Sequence, residues 1–267
     1  YLQDELQVTR DLALTLGVRV DHYSTWGAEV SPRAAAVYHV RSTSTVKLLY
    51  GKAFRAPNLC ETRYEDGDDW QRNDDLRAEH IRTVELAWEE RVAEGLFGTL
   101  SLYDYRMVDL IDQVYDDDEI GSYINLGAVD ARGVEVGLTM RLASGVVGSA
   151  SYTFQDSRNR SDSSRLTNSP NHLVRAKLGT PLGPRLFLAG ALFYDHRRLT
   201  VYGTRTDAHA IADLTLTARP LGDRFEASLS ARNLFDTSYQ TPGGFEHTQE
   251  GIRQNGCDIR LHLSVLF

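Results

Sequence analysis

A chain of 267 residues with 42% apolar and 25% charged side chains has material for one large β domain or two average ones. Aspartate and glutamate outnumber lysine and arginine 37 to 29. The resulting net charge of −8 argues against nucleic acid as a partner, because phosphate neutralisation needs clustered cations. No window holds about 18 consecutive apolar residues, which excludes a membrane-spanning helix but not a β-barrel, whose signal per strand is far weaker. Two cysteines, Cys60 and Cys257, lie far apart and in no metal-binding spacing.

Taken in order, the chain is a succession of alternating segments with turn chemistry between them. Leu12, Leu14, Leu16, Val18 and Val20 share one face, opposed by Ala13, Thr15, Gly17, Arg19 and Asp21. Shorter versions follow at Val46-Leu48-Tyr50 and Val84-Leu86-Trp88. Val134, Val136, Leu138, Met140 and Leu142 oppose Glu135, Gly137, Thr139 and Arg141, and a weaker pattern stands at Leu186-Leu188. Phe225, Ala227, Leu229 and Ala231 oppose Arg224, Glu226, Ser228, Ser230 and Arg232. The last stretch, from Ile252, ends with Ile259, Leu261, Leu263, Val265 and Phe267 on one face and Arg260, His262 and Ser264 on the other. A period of two means that one face meets apolar material and the other meets water or polar groups. About 13 strands are predicted, many of roughly ten residues or more, against a globular mean of ~5–6. Membrane-spanning strands need ~9–11.

Connections alternate in length. Short ones are expected near Thr9–Asp11, Arg41–Ser44, Ala93–Gly95, Ala143–Gly145, Thr180–Pro184 and Pro220–Asp223. Long polar ones are expected near Arg55–Glu79, Asp112–Gly121, Ser157–Ser169, Arg197–Asp207 and Asp236–Glu250. Short inner turns alternating with long outer loops is the pattern of an outer-membrane barrel. The fold expected is therefore all-β: an antiparallel up-and-down transmembrane β-barrel with about 12–14 strands in this chain. Tyr38, Tyr50, Phe54, Trp88, Tyr103, Tyr152, Phe154 and Tyr194 fall towards strand ends, as interfacial girdles do. Inward-facing Arg19, Glu135, Arg141, Glu226, Arg232 and Arg260 are expected to form a lattice of ion pairs along a wet lumen.

Specific strings then carry a resemblance. They are SPRAAAVYHV from Ser31, VKLLYGKAFRAPNLCE from Val46, LRAEHIRTVELAWEE from Leu76, SYINLGAVDARGVEVGL from Ser122, LTNSPNHL from Leu166, ARNLFDTSYQTPGG from Ala231, and the terminal strand. In this order and spacing the chain resembles the C-terminal barrel region of TonB-dependent outer-membrane receptors. It departs locally at Ala78-Glu79, where the family tends to have Pro-Glu, and at Cys257, where it usually has Arg. The resemblance implies a barrel of roughly 22 strands with a plugged lumen, of which residues 1–267 would be the C-terminal part and would carry no plug. It also implies uptake across the bacterial outer membrane of a scarce solute such as a ferric siderophore, haem, cobalamin or a glycan. The partners implied are outer-membrane lipid and lipopolysaccharide, the barrel-assembly machinery, a small-molecule or metal-chelate ligand, and the TonB complex through a missing N-terminal region.

Residues for such a role can be named. Arg55, Arg63, Tyr64, Trp70 and Arg72 lie in one long loop, where aromatic rings and guanidinium groups suit an anionic chelate. Asp116, Asp117, Asp118 and Glu119 cluster oxygens that a hard cation such as Ca²⁺ could use in an extracellular loop, although the spacing of a known calcium loop is missing. Phe267 is expected to be an assembly signal. No other cofactor is expected. The histidines lack zinc-site spacing, and no Gly-x-Ser-x-Gly elbow or phosphate loop occurs, so no catalytic residue is assigned. Two alternatives remain at this level: a complete barrel of 12 or 14 strands acting as a passive pore or structural protein, and, more distantly, a soluble β-sandwich or propeller.

Overall fold

The computed structural model describes residues 1–24, 27–116, 119–219, 224–244 and 247–265. Its elements are β1 (Leu2–Gln7), β2 (Leu12–Tyr23), β3 (Gly27–Arg41), β4 (Ser44–Arg55), α1 (Leu59–Arg63), β5 (Trp70–Gln71), β6 (Glu79–Ala93) and β7 (Leu96–Val108). They continue with β8 (Ile111–Tyr115), β9 (Gly121–Asn125), β10 (Ala128–Arg141), β11 (Val147–Asn159), β12 (His172–Pro181) and β13 (Leu186–Asp195). β14 (His209–Ala218), β15 (Phe225–Arg232), β16 (Gln240–Pro242), β17 (Gly251–Arg253) and β18 (Asp258–Val265) complete the chain. Thirteen strands form one sheet in the order β1-β2-β3-β4-β6-β7-β10-β11-β12-β13-β14-β15-β18, each beside the next of these thirteen along the chain. Among the described residues β1 adjoins β2 alone and β18 adjoins β15 alone, so the sheet is open. The architecture is all-β, as the alternation predicts.

The chain divides into two compact units. The first comprises Tyr1–Ala87, Leu102–Arg132 and Ser157–Ser164. In it β1 to β4 form an antiparallel meander, with Leu16 opposite Ala34 and Ala34 opposite Tyr50 on one face. The second unit comprises Trp88–Ser101, Gly133–Asp156 and the chain from Arg165 onward. Across it runs an unbroken row of partners: Gly148, Leu178, Gly190, Leu214, Ala231 and Ile259. Large and small residues alternate along the row, so each leucine stands between neighbours too small to crowd it.

The apolar face of the strands is bare. Leu178, Leu229, Ile259, Leu261, Leu263 and Val265 are all more than half exposed, Ile259 by 71%. Leu76, Ala78, Val129 and Ala131 are buried, and they sit just before β6 and at the start of β10 rather than mid-sheet. A wall whose apolar face meets lipid needs no protein core behind it; lipid takes the place of the second layer. No described helix is long and apolar enough to cross a membrane.

Turns follow local chemistry. β6 and β7 join through Glu94-Gly95, where Gly95 takes φ +70° and a Cβ would lie 2.0 Å from the Arg141 carbonyl oxygen, so only glycine fits. β4 stops at Arg55, two residues before Pro57, which cannot donate to a ladder. β15 stops at Arg232, and the following turn holds Asn233 and Asp236 at φ +46° and +51°.

Three features escape the period-two reading. The long loops contain ordered pieces: α1, the small β5-β9-β8 sheet and the β16-β17 hairpin. The terminal segment is interrupted, because Gly251–Arg253 pairs with β16 and the last wall strand starts only at Asp258. The expected ion-pair lattice is mostly absent. Arg19 bonds Asp21 and Arg260 bonds Asp258, each two residues away on its own strand, while Glu226 bonds Arg219 at 2.9 Å. Residues two apart on a strand share a face about 7 Å apart, so a long arginine reaches its neighbour without a cross-strand partner. Glu135, Arg141 and Arg232 have no side-chain ion pair or hydrogen bond among the described residues.

Candidate ligand-binding loops

The first unit carries the long loop between β4 and β6. At its base the guanidinium of Arg55 donates to both oxygens of Glu79, at 2.6 and 2.7 Å, and to Glu61 at 2.9 and 3.0 Å. Glu79 also accepts the amide of Ile111 at 2.8 Å, so one carboxylate ties the ends of two loops. Asn58 caps α1: its side chain accepts the Glu61 amide, and the Glu61 side chain accepts the Asn58 amide. This reciprocal box makes a five-residue helix tenable despite its length. Arg55 is thereby fully engaged with protein carboxylates.

Beyond α1 the chain folds on Asp66. One oxygen of its side chain accepts the amides of Asp68, Asp69 and Trp70 at 3.1, 2.9 and 2.9 Å. Partial desolvation pushes the Asp66 carboxyl up, but these amides together with its own outweigh that and hold the group below its ordinary value. The turn delivers Trp70 to the edge of β9, where Trp70 and Gln71 pair in parallel with Gly121 and Ser122.

Trp70 is the centre of an aromatic cluster. Its ring lies 5.7 Å from Tyr64, 5.8 Å from Tyr115 and 5.2 Å from Tyr123, the first two edge-on. Gly121 lets the indole approach its backbone, since a Cβ there would lie 2.8 Å from the ring. Arg63 and Arg72 both reach Asp74, each at 3.2 Å. Asn73 donates to the carbonyl of Tyr123 at 2.8 Å, and Asn125 brackets the backbone of Arg77, accepting its amide and donating to its carbonyl. Two loops distant in sequence thus form one platform carrying exposed rings and guanidinium groups.

The structure brings Arg63, Tyr64, Trp70 and Arg72 together on this platform and places Arg55 beneath it. Tyr115 and Tyr123 were missed by sequence reasoning. Their signal is faint, a tyrosine on either side of Gly121 in a second loop. In the acidic run, Asp116 accepts the amide of Ile120 at 2.9 Å and Glu119 takes φ +64°. Asp117, Asp118 and Phe267 lie outside the described residues. Among those described, no group of three or more His, Cys, Asp or Glu residues is arranged to hold a metal ion. Cys60 and Cys257 are free and exposed.

In the second unit, His172 and His196 stand edge to face at 5.2 Å, and their Nδ1 atoms meet the hydroxyls of Tyr152 at 2.8 Å and Tyr194 at 3.2 Å. His196, just past the end of β13, has its pKa pushed down by burial first, then by His172, Arg197, Arg205 and Arg165. The adjoining loops dock through Tyr202, which donates to the His247 carbonyl at 2.8 Å, and Thr204, which donates to Glu250 at 2.6 Å.

Comparison with known proteins places this geometry. The family model described as TonB dependent receptor-like, beta-barrel, matches residues 1–234. The chain is 26% identical to the iron-regulated outer membrane virulence protein of Vibrio cholerae, over all of this chain and 44% of that one. It is 25% identical to the vitamin B12 transporter BtuB of the same species, over 91% of this chain and 39% of that one. The fold matches the ferric enterobactin receptor PfeA of Pseudomonas aeruginosa with a TM-score of 0.81 at 22% identity, covering 99% of this chain and 44% of that one. It matches the siderophore receptor PirA of Acinetobacter baumannii with a TM-score of 0.82 at 16% identity, covering 99% and 45%. The chain spans less than half the length of these relatives, and the open sheet is what part of a larger barrel presents. The family is one of receptors and transporters rather than enzymes. With its matched strands, bare apolar face and looped platform, this chain belongs to the TonB-dependent receptors of the outer membrane, as part of their β-barrel.

Proposed function

We propose that this chain is the wall and loops of a receptor that imports a scarce, bulky solute across the outer membrane, and that the platform around Trp70 touches that solute. The observation that carries the reading is the convergence of Trp70, Tyr64, Tyr115 and Tyr123 from two loops, beside the guanidinium groups of Arg63 and Arg72. Rings supply broad flat contact and guanidinium groups complement anionic donors, as a ferric chelate of catecholate or carboxylate type requires. The names of the relatives and structural neighbours, which include siderophore receptors and a vitamin B12 transporter, support a solute of this size class. A passive pore made by this chain alone draws no support from an open sheet. Work in the full-length gene product tests the platform: Trp70→Ala should weaken binding of its chelate roughly tenfold or more, the usual scale for an aromatic hot spot. Unchanged affinity in Trp70→Ala and in Tyr123→Ala would remove the platform from the ligand path.

A further inference from the structure

The apolar side of β11, β12 and β13 carries one polar spot. From Gly148 to Phe154, from His172 to Leu178 and from Gly190 to His196, every second residue on this face is Gly, Ala, Val, Leu or Phe, apart from Tyr152, Tyr194, His172 and His196. Leu178 and Leu192, both exposed, mark it as the lipid-facing side. The four polar residues fall in the two rows nearest the long loops, the outer end of the wall. These strands are flanked by β10 and β14 in the sheet, and the outward face of a barrel wall is one that no other strand of the barrel covers.

The spot is built for an anion. The His172 carbonyl accepts the His196 amide at 3.0 Å, so the two imidazoles stand side by side on adjacent strands. The Nδ1 of His172 meets the Tyr152 hydroxyl at 2.8 Å, and that of His196 meets the Tyr194 hydroxyl at 3.2 Å. With each hydroxyl donating, the imidazole proton sits on Nε2, and each ring presents one N–H donor. Arg165, Arg197 and Arg205 act on His196 through space, and their positive field opposes a bound cation and favours a phosphate. Below the spot, Val174, Ala176 and Leu178 continue the same face of β12. The six residues from His172 to Leu178 rise about 20 Å along the strand, or about 15 Å across the membrane at the usual tilt. That depth is one leaflet of a hydrocarbon core ~30 Å thick.

We propose that this face is a docking site for one anionic, phosphate-bearing lipid of the outer leaflet, its headgroup on His172, His196 and Arg197 and a chain along Val174, Ala176 and Leu178. Continuity between the polar spot and the apolar face singles out a lipid over a free anion. The site shares no residue with the Trp70 platform, so either can fail without the other.

The test is native mass spectrometry of the full-length protein in a neutral detergent, titrated with lipid A and, in separate arms, with phosphatidylcholine and inorganic phosphate. Saturable retention of lipid A, at least tenfold tighter than phosphatidylcholine, is expected. The double variant His172→Leu/His196→Leu should weaken it tenfold or more, whereas His262→Gln, on the opposite face of β18, should leave it unchanged. Leucine suits a lipid-facing strand, so the double variant is expected to fold, and strand content by circular dichroism checks this. Arg197→Gln, at an exposed loop position, tests the same site without altering the wall and should weaken retention about threefold or more. Equal retention of lipid A and phosphatidylcholine overturns the proposal, as do inorganic phosphate binding as tightly as lipid A and unchanged retention in Arg197→Gln or in the folded double variant.

Discussion

Replacing Gly121 with alanine is the sharpest probe of the platform. The added Cβ would lie 2.8, 2.9 and 3.0 Å from three atoms of the Trp70 indole. The ring has no simple retreat, because Tyr64, Tyr115 and Tyr123 surround it. Overpacking of this kind costs about 1–3 kcal/mol, and the strain is confined to the junction that pairs Trp70 with Gly121 and carries the Gly121 amide to the Asp69 carbonyl at 2.7 Å. A local opening made easier by that amount raises its population roughly 5- to 150-fold. Amide hydrogen exchange across residues 121–125 of the folded protein should accelerate by such a factor, while amides of β12 to β14 keep their rates. The double-mutant cycle isolates the cause: in a Trp70→Ala background the clash has no second party, and Gly121→Ala should cost under about 0.5 kcal/mol. Exchange within about twofold of wild type, or an equal cost in both backgrounds, would refute the assignment of Gly121 as the seat of Trp70.

Three further outcomes follow from the same geometry. Glu79→Gln removes the charge that holds Arg55 and the Ile111 amide; with the Arg55 side chain 45% exposed, the cost should be near the low end of ~1–3 kcal/mol, seen as severalfold faster proteolysis of the loop at 56–78. His196 has a folded pKa below its unfolded value, so the unfolded state binds the proton more readily; the loop at 196–208 should be fully stable above about pH 6.5 and lose stability as pH falls through that value towards the folded pKa. Limited proteolysis at pH 5 and 7.5 should show this difference in the wild type and lose it in His196→Gln; equal cleavage at both pH values in the wild type would contradict it. Phe267→Ser should lower the yield of membrane-inserted protein, and unchanged insertion would count against Phe267 as an assembly signal.

The wall was readable and the loops were not, for a physical reason. Val18, Val20, Leu261 and Leu263 declare their face because a strand puts every second side chain on the same side, whatever its partner. The 56–78 loop carries no such period. Its order rests on single contacts such as the Asn58 cap, the three amides on Asp66 and the indole against Gly121, which depend on exact backbone paths. Arg55 illustrates the difference. By residue type it suits an anion, but Glu61 and Glu79 already surround it.

By itself, the sequence determined an antiparallel wall of about 12–14 strands, its polar and apolar faces and its alternation of short and long connections, and it carried a resemblance to a family. The wall and its connections follow from period-two patterning and local turn chemistry, which act over a few residues, whereas the family was implied by the resemblance that strings such as SPRAAAVYHV and ARNLFDTSYQTPGG carry. Only the tertiary structure decided that Tyr115 and Tyr123 join Trp70 across about fifty residues of chain, and that Arg19 and Arg260 satisfy themselves along their own strands. Such pairings depend on strand register and loop path, which the whole sheet sets together and no short stretch of sequence encodes.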